Sequence, residues 1–337
     1  MKDLKNYSLL AHNTFGIDAT CNRFLEYESV EDAHRIAAML DATKPLLIIG
    51  CGSNLLLTAD FDGTVVHSAV KGVEVVSDAA DDVLVRVGSG ENWDKFVELC
   101  IERGWYGAEN LSLIPGDVGA SAVQNIGAYG AEVGQLIECV EAVRLADGEL
   151  VTIPAADCQY GYRKSRFKED WKNGYLITHV VYRLSHTFVA HLDYGNIRQK
   201  LVERAIEKPT PTQLRHVIIE IRREKLPDPQ VEGNAGSFFV NPVVSRQKYE
   251  QLAACYPMMP HYTVDQNHEK VPAGWLIEQC GWKGRTMGRA AVHSRQALVL
   301  VNRGGATGAE VVSLCRQICN DVALKFGIEI KPEVNIV

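Results

Sequence analysis

The sequence predicts a mixed helix-and-strand protein of more than one domain, on three observations. Stretches of helical period and of strand period mix along the chain instead of segregating by class. The chain has 337 residues, more than one hydrophobic core, which stops growing at roughly 250–300 residues, usually serves. Its composition, 46% hydrophobic and 23% charged, is that of an ordinary globular protein.

Taken in order, Ser29 followed by Asp32 resembles a capping box opening the amphipathic stretch EDAHRIAAML. PLLIIG, residues 45–50, reads as a buried strand, and GTVVHSA and VLVRVG read as strands after it. NWDKFVELCIERG is a helix closed by Gly104. VEAVRLADGELVTI is a hairpin turned at Asp147-Gly148, and GYLITHVVYRL is the strand that follows. Helices near 196–207 and 213–224 lead to the proline-bounded KLPDP, which reads as a linker. A further region from about 230 to 325 ends in the helix GAEVVSLCRQICNDVALKF. The last ten residues alternate as a strand, with Ile328, Ile330, Val334 and Ile336 on one face and Glu329, Lys331, Glu333 and Asn335 on the other. Internal repeats and low-complexity segments are absent.

Composition excludes several functions. The N-terminus lacks the apolar run of a signal peptide, and no segment approaches 18 unbroken apolar residues, so a soluble, cytoplasmic protein is expected. A formal net charge of −7 argues against nucleic-acid and membrane-surface binding, which want a basic field. The nine cysteines, scattered from Cys21 to Cys319 with no C-x-x-C pair, suit neither a disulfide framework nor a structural zinc site. Buried thiols and no metal are expected. Two basic clusters stand out, YRKSRFK at 162–168 and IRREKLPDP at 221–229. Each alone reads as a solvated edge; together they favour an anionic small-molecule ligand.

Two glycine-rich stretches come next. IIGCGSNLLL, residues 48–57, is not a dinucleotide fingerprint, because no glycine stands at position 55 and no helix follows. Gly50 and Gly52 make either a plain tight turn or a phosphate-binding turn in which backbone N–H groups face oxygen and Ser53 and Asn54 add donors. LSLIPGDVGASAVQNIGAYGAEVG, residues 111–134, carries five glycines and only two charges, Asp117 and Glu132. Glycine weakens both helix and strand, and the run is too apolar for a solvated linker. The expectation is a buried loop wrapping a large cofactor that carries a diphosphate, with a plain packing loop as the alternative.

GNAGSFFVNP, residues 233–242, sets Ser237 between a flexible run and two phenylalanines. It lacks the G-x-S-x-G elbow of a nucleophile, and no histidine stands in a triad motif. Phe238, Phe239 and Val240 suggest a strand, which weakens a capping role and leaves a turn serine as the plain reading.

In chain order, GCGSNLLL, IPGDVGASAVQNIGAYGAEVG, YGYRKSRFK, KLPDPQVEGNAGSFFVNP, AGWLIEQCGWKG and KPEVNIV resemble the UDP-N-acetylenolpyruvoylglucosamine reductase (UDP-N-acetylmuramate dehydrogenase) family, flavoenzymes of bacterial peptidoglycan precursor synthesis. LDYGNI around Tyr194 resembles the longer class of that family, with a mobile tyrosine loop over the substrate. Asn335 departs from the arginine of many members and is assigned no role. The resemblance implies a vanillyl-alcohol-oxidase-type (PCMH-type) FAD-binding domain of two lobes, residues 1–70, joined by the terminal strand 326–337, and residues 71–224. A C-terminal α+β substrate-binding domain, residues 225–325, follows.

For chemistry, the resemblance implies reduction of UDP-N-acetylglucosamine enolpyruvate to UDP-N-acetylmuramate. FAD takes a hydride from NADPH and passes one from N5 to C3 of the enolpyruvyl group, leaving C2 to be protonated. It implies non-covalent FAD held by Gly50, Gly52, Ser53, Asn54, Ile114, Pro115, Gly116, Gly119, Gln124, Asn125, Ile126 and Gly127. Ser237 matches the family's proton donor and Arg163 its arginine at the enolpyruvyl carboxylate. Glu333, by its own pattern an exposed glutamate, matches the one beside the reacting carbons. Tyr194, Lys225 and Asn241 match groups at the UDP diphosphate, and Tyr129 and Tyr162 line the same pocket. The expected partners are the enolpyruvyl substrate and NADPH, with a monomer and neither nucleic acid nor membrane. Two other readings stand beside this one, an alcohol oxidase or other flavin enzyme of the same fold and a non-catalytic nucleotide-sugar-binding module. The first has no need of Ser237 and Glu333 with a UDP-binding cluster; the second would purify without flavin.

Overall fold

The computed structural model of the protein describes residues 1–337, which divide into two compact units. Unit 1 holds Met1–Tyr7, Cys21–Cys51 and Asp62–Arg222; unit 2 holds Ser8–Thr20, Gly52–Phe61 and Arg223–Val337. The cut after Arg222 falls just before KLPDP. The first seventy residues, expected to form one lobe, are shared between the units.

Unit 1 contains two large sheets and the small pair Gly127–Ala128 with Ala131–Glu132. A four-stranded sheet runs in the order Lys2–Ser8, Thr20–Tyr27, Phe61–Ser68, Leu46–Ile49, the last pair parallel. A five-stranded antiparallel sheet runs Leu150–Pro154, Ile137–Arg144, Tyr175–Ser185, Asp82–Gly88, Val73–Asp78. Alternation decides which face is buried: in DVLVRVG, Val83, Val85 and Val87 are inside. They meet helix Trp93–Arg103 through Trp93 and Phe96. That helix begins where the Asn92 side chain accepts from Lys95 N–H and ends at Gly104, φ 74°. Helix Val30–Met39 shares a core with strands of both sheets, and the Tyr27 hydroxyl donates to Ile177 O at 2.7 Å. Its capping box is half formed: Ser29 Oγ accepts from Asp32 N–H, but the Asp32 carboxylate accepts from Glu28 N–H instead of returning to Ser29. Helices Ile197–Glu203 and Pro211–Lys225 pack together through Leu201, Val217 and Ile218.

Unit 2 has a sheet ordered Gly233–Asn234, Leu300–Asn302, Ala290–Val292, Thr286–Met287 and a smaller one of Val243–Ser245, His268–Lys270 and Tyr262–Thr263. Helix Gly308–Phe326 opens with a complete Thr307–Glu310 capping box, stops at Gly327 and buries Val311, Leu314, Ile318 and Val322. None of the helices is long and apolar enough to cross a membrane.

Two expected strands differ. Phe238–Val240 is extended but joins no ladder beyond one bridge, Phe239 to Pro332. The terminal strand shrinks to Asn335–Ile336, parallel to Leu55–Leu56. Pro332 has no N–H to give a ladder, and a bend at Val334 breaks the alternation, so Ile336 is 41% exposed while Ile328, Ile330 and Val334 are buried.

Candidate active site

In unit 1 the glycine-rich stretch begins under strain. Leu113 has φ 57°, a left-handed conformation costing an L-residue about 1–2 kcal/mol. It is held from both ends: its N–H donates to Asp94 Oδ1 at 2.5 Å, and its carbonyl accepts from Arg222 Nε at 3.3 Å. The stretch is not all loop, as its glycines had suggested. Val118–Gln124 is a helix, entered at Asp117 and stopped by Asn125 at φ 44°. Small residues permit it, because they let the helix lie directly on Ser89; a Cβ on Gly119 would come within 2.7 Å of the Ser89 Cβ. The Val118 and Gly119 N–H groups donate to Glu91 O and Ser89 O, both at 2.8 Å, so Gly119 serves close packing and does not offer a donor. The Asn125 side chain is likewise spent within the chain, on Glu132, Gly161 and Gly134.

The turn that opens IIGCGSN is tight for a different reason on each side. In unit 1 a Cβ on Gly50 would stand 3.0 Å from Asp117 Oδ2 and from Ala120 Cβ. In unit 2 Gly52 has φ 71°, and a Cβ there would overlap the carbonyl oxygen of His12. Each unit has a buried polar atom that makes no hydrogen bond, Asn54 Nδ2 in unit 2 and Asp117 Oδ2 in unit 1. The first suits a phosphate or carbonyl oxygen and the second a hydroxyl or amide donor. A dinucleotide cofactor presents both, so these residues fit FAD.

Arg163 lies on a turn closed by reciprocal bonds, Gly161 N–H to Lys164 O at 3.1 Å and Lys164 N–H to Gly161 O at 2.9 Å. Its φ is 56°. Its Nη2 donates to Gly127 O at 3.0 Å, its guanidinium stands 5.7 Å from the Tyr162 ring centre, and Lys168 Nζ donates to its carbonyl at 2.9 Å. Gly127–Ala128 pairs with Ala131–Glu132 across a two-residue turn, Tyr129 at φ 48° and Gly130 at φ 82°, the pattern that matches hairpin twist. The exposed Tyr194 ring meets Tyr129 edge-on, centres 6.5 Å apart. Burial raises the Tyr129 hydroxyl above the usual phenol range, and nearby Arg222 opposes that. Leu113, Asn125, Tyr129 and Arg163 are half of the eight non-glycine residues with positive φ, and such strain collects where function needs a fixed geometry.

In unit 2 the single bridge of Phe239 to Pro332 sets two distant segments side by side. Phe238 N–H donates to Leu298 O at 2.7 Å, Glu333 N–H to Phe238 O at 2.8 Å and Val240 N–H to Lys331 O at 3.0 Å. Ser237, half-buried after Gly236 at φ 69°, and half-buried Glu333 thereby stand on adjoining extended segments, although they lie 96 positions apart in sequence (333 − 237). Asn241 Oδ1 accepts from Ala273 N–H at 2.9 Å, at the first residue of helix Ala273–Gln279, and its Nδ2 is the group that can donate to a ligand oxygen. Lys225 is exposed at the end of helix Pro211–Lys225.

A family model described as "UDP-N-acetylenolpyruvoylglucosamine reductase, C-terminal domain" matches residues 228–337, and one described as "FAD binding domain" matches residues 22–154. A UDP-N-acetylenolpyruvoylglucosamine reductase of Bacteroides fragilis (strain YCH46) is 53% identical over 333 residues, covering 99% of this chain and 99% of its own. The chain belongs to the UDP-N-acetylenolpyruvoylglucosamine reductase family. A reductase of Pseudomonas aeruginosa is 47% identical, covering 98% of this chain and 97% of its own. The crystal structure of the Thermus caldophilus reductase shares the fold, with a TM-score of 0.68 at 21% identity over 99% of this chain and 98% of that one.

For a member of this reductase family, the sequence assigned no individual role to three side chains. Arg215 is 7% exposed and pairs with Asp94, Nη1 to Oδ1 at 2.6 Å and Nη2 to Oδ2 at 3.1 Å. Arg222, seven residues on and therefore on the same face of its helix, adjoins Tyr129, Asp94 and Arg163; burial pulls its guanidinium below the usual arginine range. Both arginines flank the apolar positions Leu214, Val217, Ile218 and Ile221, a signal in the sequence, since arginine beside a buried stripe needs a partner. Asn335 donates from its backbone N–H (3.1 Å) and from Nδ2 (3.3 Å) to Asn54 O.

Proposed function

We propose that Arg163, Ser237 and Glu333 carry out, in this chain, the reduction of UDP-N-acetylglucosamine enolpyruvate to UDP-N-acetylmuramate in peptidoglycan precursor synthesis. The enzyme is an NADPH-dependent flavoprotein oxidoreductase. FAD, when bound, supplies hydride transfer from NADPH to the enolpyruvyl group. The chain's own residues do the rest. Gly50, Gly52, Ser53 and Asn54, with Ile114, Pro115, Gly116, Gln124, Ile126 and Gly127, hold the cofactor. Arg163 offers a planar fork of donors to the substrate carboxylate and draws negative charge toward it. Ser237 Oγ gives a proton to C2; a neutral alcohol serves as the acid because the carbon it protonates, next to that carboxylate, is so strong a base. Glu333 steadies the same centre. Lys225, Tyr194 and Asn241 Nδ2 hold the UDP diphosphate, with Tyr129 and Tyr162 lining that subsite and the Tyr194 loop covering it.

The observation that carries the reading is the bridge of Phe239 to Pro332, which sets the segments of Ser237 and Glu333 side by side in one unit. We further read the protein as a cytoplasmic monomer that binds neither nucleic acid nor membrane. Nine free thiols suit a reducing compartment, and a net charge of −7 repels polyanions; light scattering of the holoenzyme checks the monomer. Stopped-flow flavin absorbance tests the chemistry. Ser237→Ala should leave reduction by NADPH near the wild-type rate and slow reoxidation by enolpyruvyl substrate about 10²–10⁴-fold. Wild-type reoxidation in that variant would return Ser237 to a turn residue.

A further inference from the structure

Asn125 is 1% exposed, and its hydrogen bonds show what it does. Its Nδ2 donates to Glu132 Oε2 at 2.8 Å and to Gly161 O at 2.7 Å, while its Oδ1 accepts from Gly134 N–H at 2.8 Å. An amide has two N–H donors, and both are used inside unit 1, which leaves the side chain no donor for a cofactor. Gly161 opens the turn that presents Arg163 at φ 56°. On the far side of that turn, Ser165 is fully buried and donates from Oγ to Val123 O at 2.6 Å. Both flanks of the arginine turn are thus fastened to the C-terminal end of one short helix, Val118–Gln124. A left-handed arginine persists only where its surroundings over-determine it.

We propose that Asn125 and Ser165 are positioning residues for Arg163, a two-pin clasp that holds the 161–164 turn in its strained form and so aims the guanidinium. The proposal rests on the reading of Arg163 as the carboxylate-binding residue. It reassigns Asn125, expected from sequence to bind the cofactor, to the substrate half of the reaction. It also makes the flavin stretch and the arginine turn one rigid piece.

Asn125→Asp preserves shape but places an acceptor where two donors stood, facing the Glu132 carboxylate and the Gly161 carbonyl. In the holoenzyme, flavin content and reduction by NADPH should stay near wild type. Affinity for the enolpyruvyl substrate, read by titrating the flavin spectrum, and the rate of reoxidation should each fall by roughly 10²-fold, the usual result of displacing a reacting group by about 1 Å. Repeated in an Arg163→Ala background, Asn125→Asp should change neither quantity further, because residues that act as one unit are not additive. Ser165→Ala should follow the same pattern with a smaller loss, about tenfold for one hydrogen bond.

A flavin-free Asn125→Asp protein overturns the proposal and restores the cofactor role. Equal losses with and without Arg163 overturn it in favour of a general structural role. If Asn125→Asp fails to fold, Ser165→Ala decides alone, and wild-type reoxidation there sinks the clasp. Arg163→Ala separates the two readings. Wild-type reoxidation in Arg163→Ala defeats the role of Arg163 itself, whereas slow reoxidation there beside a normal Asn125→Asp defeats only the clasp.

Discussion

Glu109 is a carboxyl with one satisfied oxygen. It is 3% exposed, its Oε2 accepts from Gly107 N–H at 2.9 Å, and its Oε1 makes no hydrogen bond. Burial raises its pKa above the ordinary carboxylate range, with backbone N–H groups and His191 opposing. The folded state therefore holds this proton more tightly than the unfolded chain does. Its contribution to stability is complete below the ordinary carboxylate range and is lost as pH rises through the raised value. Glu109→Gln, which cannot titrate, should melt above wild type at neutral and alkaline pH and lose that advantage in acid; a difference independent of pH in thermal melts contradicts this account. A charge at the proposed diphosphate subsite has a different signature. Lys225→Ala should weaken substrate binding by roughly 1.5–3 kcal/mol, the value of a charge-assisted hydrogen bond, with flavin content little changed, measured by titration calorimetry.

Among the turns, the same substitution has opposite consequences in two places. Gly148, at φ 75° in the hairpin after Arg144, has nothing within 4 Å of an added Cβ, so Gly148→Ala should cost only the left-handed penalty of about 1–2 kcal/mol and leave the protein yellow. Gly52, with a similar φ of 71°, has the carbonyl of His12 where the Cβ would go. Gly52→Ala has to move backbone, and the expected product is colourless or poorly folded; a Gly52→Ala protein with full flavin absorbance shows that the turn is softer than its contacts imply. Asn335 is the milder case. Asn335→Ala removes one side-chain bond to Asn54 O while the backbone bond remains, a loss of about 0.5–1.5 kcal/mol visible as weaker FAD retention on dilution. What the sequence makes legible at this scale is local. Asp82–Gly88 and Trp93–Arg103 declare themselves by alternation and by Asn92 and Gly104 at the helix ends. The helix Val118–Gln124 does not, because its glycine counts against it locally and only contact with Ser89 explains it.

For the whole molecule, FAD that binds the folded chain and not the unfolded one raises stability by mass action, about 2.7 kcal/mol at a hundredfold excess over Kd. Holoenzyme should melt above apoenzyme, with a gap that grows with added FAD, and acid or heat should free the flavin intact; flavin remaining on the denatured chain would mean a covalent link. The sequence carried the family, and with it the position of each expected site residue, because motifs such as YGYRKSRFK and GNAGSFFVNP persist as strings. It could not carry partners. That Ser237 neighbours Glu333 depends on the Phe239 to Pro332 bridge, a tertiary pairing between segments with no common pattern. Asn125 stands in a cofactor motif, while its bonds run to Glu132 and Gly161. Arg215 and Arg222 needed the helix packed before their partners could be seen.

The bracing of the Gly52–Asn54 turn has a kinetic side. Asn335 reaches Asn54 across 281 positions of chain, and unit 2 is interrupted by the long insertion Asp62–Arg222. Closing loops of that length is slow because the entropy is lost before any contact compensates it. The sheet formed by Asp82–Gly88 and Tyr175–Ser185 draws on much nearer neighbours in sequence. During refolding from denaturant, strand signals should therefore recover before the nucleotide turn is complete, and the yellow colour of bound flavin should return last.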